Sequence, residues 1–229
     1  MTLCREGSRC GFLREDGLCE LILRIGEDAL CDICREHPRF YSGGEAITEA
    51  GHGLTCEEAA RLWLTSPIEF VTQDDGLSPD ESERETLEAQ MELIEALISD
   101  GALGETLAAM LTDGDDPYPR LRALYMQLEA MDETFGACFA ETVQPTCDPR
   151  FRHLAAYFVY RYYFELGHEL TVRFTAASLV MIAAMGGDLC EAAKKYSSEV
   201  EYDPDNLEKI YDFLLKTDGL AALVKRIFL

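Results

Sequence analysis

Cysteines with the spacing of a metal site are concentrated near the start of this chain of 229 residues. Six of the nine cysteines lie within the first 56 positions: Cys4, Cys10, Cys19, Cys31, Cys34 and Cys56. Thiolates are soft, charged ligands, and four of them usually surround a structural zinc ion or an iron–sulfur cluster. Cys31 and Cys34 form a C-x-x-C pair on one face of a predicted helix. No second C-x-x-C follows, so a simple zinc ribbon is excluded.

The compartment decides whether these cysteines bind metal or form disulfides. The N-terminal segment, MTLCREGSRC, carries charges where a signal peptide would have its apolar region. We therefore expect a cytoplasmic, reducing environment, in which clustered cysteines indicate metal binding or catalysis before disulfides. The alternative is that Cys31 and Cys56 are ordinary buried small residues, as free cysteines often are.

The net charge of −23 limits the partners of the protein. A surface this acidic repels the phosphates of nucleic acids and the headgroups of anionic membranes. It attracts a basic partner, such as a protein surface rich in lysine, although acidity also serves solubility alone. The most apolar stretch, 172–187, contains Arg173 and is shorter than the roughly 20 residues of a membrane span. We expect a soluble protein without nucleic-acid or membrane partners.

The elements that must position the cysteines are predicted to be helices. No run alternates apolar and polar residues well enough to predict a strand, so we expect an all-α fold with a loop-rich, cysteine-containing N-terminal subdomain. The polar, turn-rich stretch 72–79 is the candidate boundary between a metal-binding subdomain, 1–71, and a helical domain, 78–229. Capping residues and apolar periodicity predict helices over 18–25, 28–35, 55–64, 78–101, 105–112, 119–139, 150–167, 168–185 and 204–217. A turn is predicted at Asp16-Gly17, a capping box at Ser78 and Glu81, and Asp203 as the N-cap of the last helix.

Three cysteine motifs in the first quarter carry a resemblance to a known family. They are Cys10-Gly-Phe-Leu, Gly17-Leu-Cys19 and Cys34 followed by His37-Pro-Arg39; the segment Leu54-Thr-Cys56-Glu-Glu-Ala-Ala-Arg61-Leu comes next. In this order they resemble the signature of the bacterial flagellin lysine-N-methylases. Later in the chain, Tyr157-x-x-Tyr160-Arg161 and Tyr196-Ser-Ser-Glu199-Val-Glu201 resemble two further elements of that family. The resemblance covers nearly the whole chain, and its first-quarter motifs are the specific ones.

The resemblance implies transfer of a methyl group from S-adenosylmethionine to lysine amines of a flagellin-like protein. It also implies an iron–sulfur cluster, of the 4Fe-4S type, with zinc as the alternative metal. The ligands that it implies are Cys10, Cys19, Cys34 and Cys56, because Cys31 stands where the family usually has another residue.

Aromatic and charged residues in the matching motifs are the candidates for the catalytic site. Tyr157 and Tyr160 are assigned by the resemblance, and aromatic faces attract the sulfonium or ammonium cations of such a reaction. Glu199 is the candidate base, because a lysine amine must lose its proton before it attacks a methyl group. A helical core and a solvated acidic surface are the alternative explanations for these residues.

Arginines are the candidates for the carboxylate of S-adenosylmethionine, which a guanidinium binds through paired hydrogen bonds. Arg39, Arg61 and Arg161 are the three, and internal salt bridges are the alternative explanation for Arg39 and Arg61.

One departure from the family favours a second hypothesis. Family members usually begin with a Cys-Cys-x-Gly-Trp segment that this sequence lacks, and its only tryptophan is Trp63. No glycine-rich cofactor loop follows a predicted strand either. The alternative to a lysine methylase is therefore a non-catalytic metal-binding module whose acidic helical body binds a basic protein. A metal-free helical scaffold is the third hypothesis.

Overall fold

The computed structural model describes residues 5–6, 9–73 and 76–229. The clustered Cys4 and part of the candidate boundary at 72–79 lie outside the described residues. The protein is mostly helical, as the sequence predicts, and it divides into two compact units between Arg39 and Phe40. Within the described ranges, no helix combines the length and the apolar character needed to cross a membrane.

The first unit is built from short elements joined by turns. Strands β1 and β2 pair antiparallel, with Arg5 opposite Cys10. A turn at Gly17, where φ is +82°, confirms the turn predicted at this position. The elements in chain order are β1 (Arg5–Glu6), β2 (Arg9–Cys10), α1 (Glu20–Ile25), a 3-10 helix (Glu27–Ala29) and α2 (Asp32–Glu36).

The rest of the chain contains a two-stranded sheet and eight of the described helices. The strands are β3 (Arg39–Gly43) and β4 (Thr48–His52). The helices are α3 (Glu57–Thr65), α4 (Glu81–Ile98), α5 (Leu103–Ala108), α6 (Tyr118–Tyr125), α7 (Arg150–Met185), α8 (Leu189–Tyr196), α9 (Pro204–Leu214) and α10 (Leu220–Ile227). A 3-10 helix (Phe135–Cys138) precedes α7, and a π-helical turn (Ser197–Glu201) follows α8.

Helix α7 forms the centre of the second unit. Every residue from 171 to 182 is buried, and α3, α4, α8, α9 and α10 all pack against this helix. A helix that is apolar on all sides must be surrounded by other elements. Gly167 interrupts it with φ +69° and ψ 175°, which confirms the break predicted there from the sequence.

The strands β3 and β4 were not predicted. They pair through a short loop in which the Gly44 N–H donates to the Ile47 carbonyl over 2.9 Å. Gly43 has φ +127°, and a Cβ at that position would lie 2.1 Å from the Ile47 oxygen. Only Phe40 and Glu49 of the two strands are buried, so the sequence does not show the alternation of apolar and polar residues that predicts a strand. Taken from the sequence alone, Gly43 and Gly44 therefore indicate a loop.

Two helices begin with capping residues of the predicted type, but the cap of α4 lies two residues later in the chain than predicted. Asp203 caps α9 as predicted, accepting the Asp205 and Asn206 N–H groups over 2.9 and 3.1 Å. The capping box of α4 consists of Asp80 and Glu83, where Ser78 and Glu81 were predicted. Two capping-box sequences overlap here, one from Ser78 to Glu81 and one from Asp80 to Glu83, and the second makes the hydrogen bonds.

The long helix predicted over 119–139 is wrong. Helix α6 ends at Tyr125, and a 3-10 helix follows at Phe135–Cys138. The backbone between them is held by distant side chains: Asn206 bonds the N–H and the carbonyl of Glu129, and Glu199 accepts the Met131 N–H over 2.7 Å. These tertiary hydrogen bonds replace the helical ones, and the apolar spacing cannot reveal them.

A close contact between α5 and α10 gives a stability prediction. A Cβ on Gly104 would lie 2.4 Å from the Phe228 oxygen and 2.6 Å from the Val224 oxygen, whereas one on Gly101 would meet only Thr106 Oγ1 at 3.8 Å. We expect Gly104→Ala to lower the free energy of unfolding by about 1–3 kcal/mol, because the two backbones must separate. Gly101→Ala is the matched control and should change it little. Urea unfolding of both variants checks this, and equal stability of the two would contradict it.

Candidate functional site

Cys31 and Cys34 of the first unit lie one helical turn apart. Cys31 is the N-cap of α2, and Cys34 lies within that helix. The Cys34 backbone amide and then its side chain lower the pKa of the Cys31 thiol, which makes no capping hydrogen bond to α2. The pKa of Cys34 is raised by the Cys31 side chain, by slight burial and then by the negative charges of Cys31, Cys10 and Cys19. Three thiols of this unit therefore raise the pKa of a fourth, Cys34.

These thiols are neighbours and not a formed ligand cage. Cys10 is the last residue of β2. Cys19 is the N-cap of α1, and its backbone forms an isolated antiparallel β-bridge with Leu13. The eight described cysteines are all free thiols. In the described part of the chain, no three His, Cys, Asp or Glu side chains already form a group that could hold a metal ion.

The first unit has no buried side chain among residues 10–39. Its large apolar side chains are exposed, including Ile25 at 66% and Ile33 at 78%. Small units that cannot form an apolar core usually depend on a metal, disulfides or an association for stability. With free cysteines in neighbouring positions, the donor set in this unit fits thiolate coordination of a metal or a cluster.

The second unit contains a buried ion pair between α7 and the π-helical turn. Arg161 Nη1 lies 3.3 Å from Glu201 Oε1, and the Glu201 side chain is completely buried. Tyr162 donates its hydroxyl hydrogen to Glu201 Oε1 over 2.9 Å, and Tyr157 does so over 3.0 Å. Arg161 Nη1 in turn donates to the Tyr157 oxygen over 2.5 Å. The carboxylate is therefore matched by one cation and two hydroxyl donors.

Burial and charge set the protonation of this group. Burial and then the charge of Glu201 raise the pKa of Tyr157 and of Tyr162 well above the usual tyrosine range, so both hydroxyls remain hydrogen-bond donors. Burial by itself lowers the pKa of Arg161, but Glu201, Tyr157 and Tyr162 together outweigh it and the net shift is upward. Arg161 is thus a permanent cation held next to a carboxylate.

Aromatic rings surround the Arg161 guanidinium. Its central carbon lies 4.9 Å from the ring centroid of Phe40 and 5.3 Å from those of Tyr162 and Tyr202. Next to it is a cavity of about 440 Å³, within the range of roughly 300–1,000 Å³ that is typical of small-molecule sites. The cavity is lined by Phe40, Tyr41, Ser42, Gly43, Arg161, Tyr162, Phe164, Glu165, Glu201 and Leu207.

Glu199 and Glu201, which are two residues apart in the π-helical turn, contact different partners. Glu201 reaches Arg161, whereas the Glu199 carboxylate accepts the Met131 N–H and lines a smaller cavity of about 170 Å³. Irregular helical turns of this type often occur at functional sites. Glu199, the candidate base, is thus engaged in holding the segment after α6, and it does not line the cavity beside Arg161.

The other candidate residues of the second unit differ in their surroundings. Tyr160 packs against Phe40 and Phe70, with centroid distances of 6.1 and 5.0 Å, and its hydroxyl donates to the Ala50 carbonyl. Arg61 is exposed on α3 and pairs with Glu58 through hydrogen bonds of 2.8 and 2.6 Å. Of these two residues and Arg161, only Arg161 lines the 440 Å³ cavity.

The remaining candidates are Arg39 and Cys56. Arg39, at the end of the first unit, is exposed and donates to the Arg35 carbonyl. Cys56, in the second unit, is the half-exposed N-cap of α3, and its side chain makes no capping hydrogen bond.

Of the residues around Arg161, reasoning from the sequence missed Phe40, and it named Glu201 only beside Glu199 and Tyr162 only within the aromatic run of the predicted helix 150–167. The available signal was Arg161 itself, because an arginine within an aromatic run of a buried helix requires a counter-charge. The sequence offers two glutamates in the matching motif, and the choice between them depends on the π-helical turn.

A second buried carboxylate lies behind the cavity wall. Glu49 Oε2 accepts hydrogen bonds from Ser42 Oγ over 3.0 Å and from Gln90 Nε2 over 3.1 Å. Glu49 Oε1 and Gln90 Oε1 are buried without a hydrogen-bond partner among the described residues. Burial raises the pKa of Glu49 despite the two donors. A protonated Glu49 carboxyl group would supply one hydrogen-bond donor at a place where two buried acceptor oxygens have no donor.

Removal of one partner from the buried ion pair should be costly. We expect Arg161→Met to lower the free energy of unfolding by about 3–5 kcal/mol, because the Glu201 charge is left buried without its cation. The double variant Arg161→Met/Glu201→Gln should recover part of that loss. Arg61→Met, which removes an exposed pair, is the control and should leave the unfolding midpoint nearly unchanged. Denaturant titration gives all three values, and equal effects of Arg161→Met and Arg61→Met would overturn the prediction.

The raised pKa of Glu49 predicts a pH dependence of stability. The folded state binds this proton more tightly than the unfolded state, whose value is near the ordinary 4.5. The stabilisation is therefore complete below pH 4.5 and is lost as the pH rises through the folded pKa. Glu49→Gln should become more stable relative to the native protein as the pH rises over that interval. Glu58→Gln is the control with the opposite sign, since Arg61 lowers the pKa of Glu58. Parallel pH slopes for all three proteins would refute the assignment.

The cavity can accept a cationic group more readily than an anionic one. Its lining offers aromatic faces and the carboxylates of Glu201 and Glu165, and its only cation, Arg161, is already paired. A cation next to aromatic faces and carboxylates gains both cation–π and Coulombic attraction.

Comparison of the chain with models of protein families, with curated proteins and with solved structures finds no match.

Proposed function

We propose that the protein is a lysine N-methylase that transfers a methyl group from S-adenosylmethionine to the ε-amine of a lysine on another protein. The observation that carries the proposal is the cavity beside Arg161 and Glu201, with its aromatic lining and its excess of carboxylate. Both reactants are cations, a sulfonium and an ammonium, and such a lining favours both. The motif resemblance to flagellin lysine-N-methylases adds independent support from the sequence.

The residues of the cavity have separate roles in this proposal. Arg161, whose Nη1 is engaged by Glu201 and Tyr157, binds the carboxylate of the methyl donor through its remaining N–H donors, while Tyr157 and Tyr162 keep Glu201 in place. Glu201 attracts the lysine ammonium into the cavity. Glu165, at the exposed side, accepts the proton that the ammonium must lose before reaction. Glu201 takes the carboxylate role proposed from the sequence for Glu199, because it is Glu201 that lines the cavity.

The transfer itself is a direct displacement. The lone pair of the neutral lysine nitrogen forms a bond to the methyl carbon while the carbon–sulfur bond breaks, and its electron pair remains on sulfur as a neutral thioether. The methylammonium product carries the positive charge that the sulfonium loses, so charge is balanced, and Glu165 returns the first proton to solvent. Aromatic faces stabilise the sulfonium before transfer, and the protein contributes mainly orientation and exclusion of water.

The cysteines of the first unit are proposed to hold an iron–sulfur cluster. The subdomain fits such a group because its thiols are free and near one another and because residues 10–39 form no apolar core. A bound cluster would supply iron that is redox-active and able to accept electron pairs. A reducing, cytoplasmic location follows from this proposal, since exposed thiols and clusters are oxidised elsewhere.

A non-catalytic metal-binding module that binds a basic protein is the second candidate. The exposed apolar side chains of the first unit favour it, because they would be covered by a partner. The net charge of −23 gives the preference for a basic partner. In this case zinc in place of a cluster would serve stability alone.

The test is a methyl-transfer assay with the anaerobically purified full chain, S-adenosylmethionine labelled in its methyl group and a flagellin-like protein with surface lysines. We expect label on lysine and at least a hundredfold loss in Glu201→Gln, because the cation site loses its charge. Leu207→Trp reduces the volume of the cavity while both residues of the ion pair are kept, and it should also abolish transfer. Glu58→Gln, an exposed carboxylate variant, is the control and should remain active.

Two further outcomes decide between the candidates. Labelling that persists in Leu207→Trp, with the fold intact by circular dichroism, would exclude this cavity as the site. Absence of labelling together with salt-sensitive binding of the basic protein would support the non-catalytic module and overturn the enzyme proposal.

A further inference from the structure

The smaller cavity of the second unit lies between the segment that follows α6 and the π-helical turn. Its volume is about 170 Å³, below the roughly 300–1,000 Å³ that is typical of sites for whole small molecules. Glu129, Glu199 and Asp203 line it, and none of the described residues in its lining is basic. A space of this size fits the charged end of one side chain.

Glu199 is the buried carboxylate of this cavity. The residue is only 7% exposed, and its Oε2 accepts the Met131 N–H over 2.7 Å. Within the described part of the chain, Oε1 accepts no hydrogen bond, and no lysine, arginine or histidine forms an ion pair with Glu199. Glu201, two residues later, is similarly buried and is paired with Arg161. Because buried charges are normally paired, the carboxylate of Glu199 lacks a cation that the carboxylate of Glu201 has.

The two other carboxylates increase the negative charge of the cavity. Glu129 is exposed, and Asp203 uses Oδ1 to accept the N–H groups at the start of α9. Neither forms an ion pair with a basic residue of the described ranges. A cation bound here is attracted by three carboxylates, and no positive charge in the described lining opposes it.

The lining also offers apolar and aromatic surface to the stem of a side chain. Met131 is 84% exposed, and the ring of Tyr202 is partly exposed. Lysine and arginine place their methylene groups on such surface while the charged end reaches a polar partner, and an aromatic face attracts the cation itself. Among the described residues, no three His, Cys, Asp or Glu side chains form a group that could hold a metal ion. The lining therefore suits a basic side chain better than a metal ion.

Tyr202 connects this cavity with the larger one beside Arg161. Its ring centroid lies 5.3 Å from the central carbon of the Arg161 guanidinium, and Arg161 lines the larger cavity. The π-helical turn contributes Glu201 to the lining of the larger cavity and Glu199 to that of the smaller one. Two cavities with an excess of carboxylate are therefore neighbours in the second unit.

We propose that the smaller cavity binds a second basic side chain of the protein substrate, an arginine or a lysine close to the lysine that enters the larger cavity. Glu199 supplies the buried counter-charge, and Tyr202 and Met131 contact the stem of the bound side chain. The role in substrate selection rests on the proposed function, whereas the affinity for a basic side chain does not. The net charge of −23 favours the approach of such a basic segment.

The experiment measures peptide binding to the full chain without a methyl donor. Fluorescent peptides contain one lysine and one arginine at a series of separations, and each has a counterpart in which citrulline, a neutral analogue of the same shape, replaces the arginine. Fluorescence anisotropy gives the dissociation constants at fixed ionic strength. The variants are Glu199→Gln, which keeps an acceptor for the Met131 N–H, and Glu129→Gln. Glu141→Gln, an exposed carboxylate that lines neither cavity, is the matched control.

We expect the native protein to bind the arginine peptide of the best separation about tenfold more tightly than its citrulline counterpart, the effect of one charge-assisted pair. Glu199→Gln should abolish this preference, Glu129→Gln should reduce it about twofold, and Glu141→Gln should retain it. A preference that persists in folded Glu199→Gln, or that is absent from the native protein at every separation, would overturn the proposal. If circular dichroism shows that Glu199→Gln is unfolded, Glu129→Gln decides, and an undiminished preference in that variant would overturn it.

Two further comparisons separate this proposal from its neighbours. Loss of the arginine preference on addition of Ca²⁺, but not of NaCl at the same ionic strength, would assign the cavity to a metal ion and overturn the proposal. An arginine preference that depends on Glu199, without labelling of lysine in the methyl-transfer assay, would support the cavity assignment and count against the enzyme. Labelling of the arginine and citrulline peptides at equal rates would overturn the assignment and leave the enzyme proposal intact.

Discussion

The buried ion pair between Arg161 and Glu201 is the interaction on which the cavity of the second unit depends. A carboxylate whose side chain is fully buried is tolerated only when cations and hydrogen-bond donors replace water. Tyr157 and Tyr162 supply the donors, and Phe40 covers the guanidinium. The charges of Arg161 and Glu201 are therefore compensated only when the β3–β4 sheet, α7 and the π-helical turn all pack around them.

This requirement explains the irregular parts of the fold. Residues two apart in a helical turn do not face each other, so Glu199 and Glu201 of the π-helical turn reach different partners. Glu199 fixes the chain after α6, which in turn ends the helix that apolar spacing would extend. The π-helical turn thus contributes to the wall of the cavity through Glu201 and to the path of a distant loop through Glu199.

The sequence predicts those features that depend on near neighbours. The break at Gly167, the Asp203 cap and the helical class depend on residues a few positions apart, and they are confirmed. The 119–139 helix is wrong and β3 and β4 were missed, because Asn206 and Gln90 act there from distant positions in the chain. In the candidate site, Tyr157 and Arg161 share a helix face and were found together, whereas Glu201 lies 40 positions from Arg161 and was named only beside Glu199.

The two units differ in what stabilises them, and that difference bears on function. The second unit has a continuous apolar core around α7, so it can tolerate a buried charge pair and keep a cavity open. Residues 10–39 bury no side chain, and their order must come from bonds of another kind. If thiolate coordination supplies that order, loss of the metal would unfold the first unit and leave the second folded. The metal state would then control the first unit without altering the cavity, and metal content and cavity binding would be separable properties of one chain.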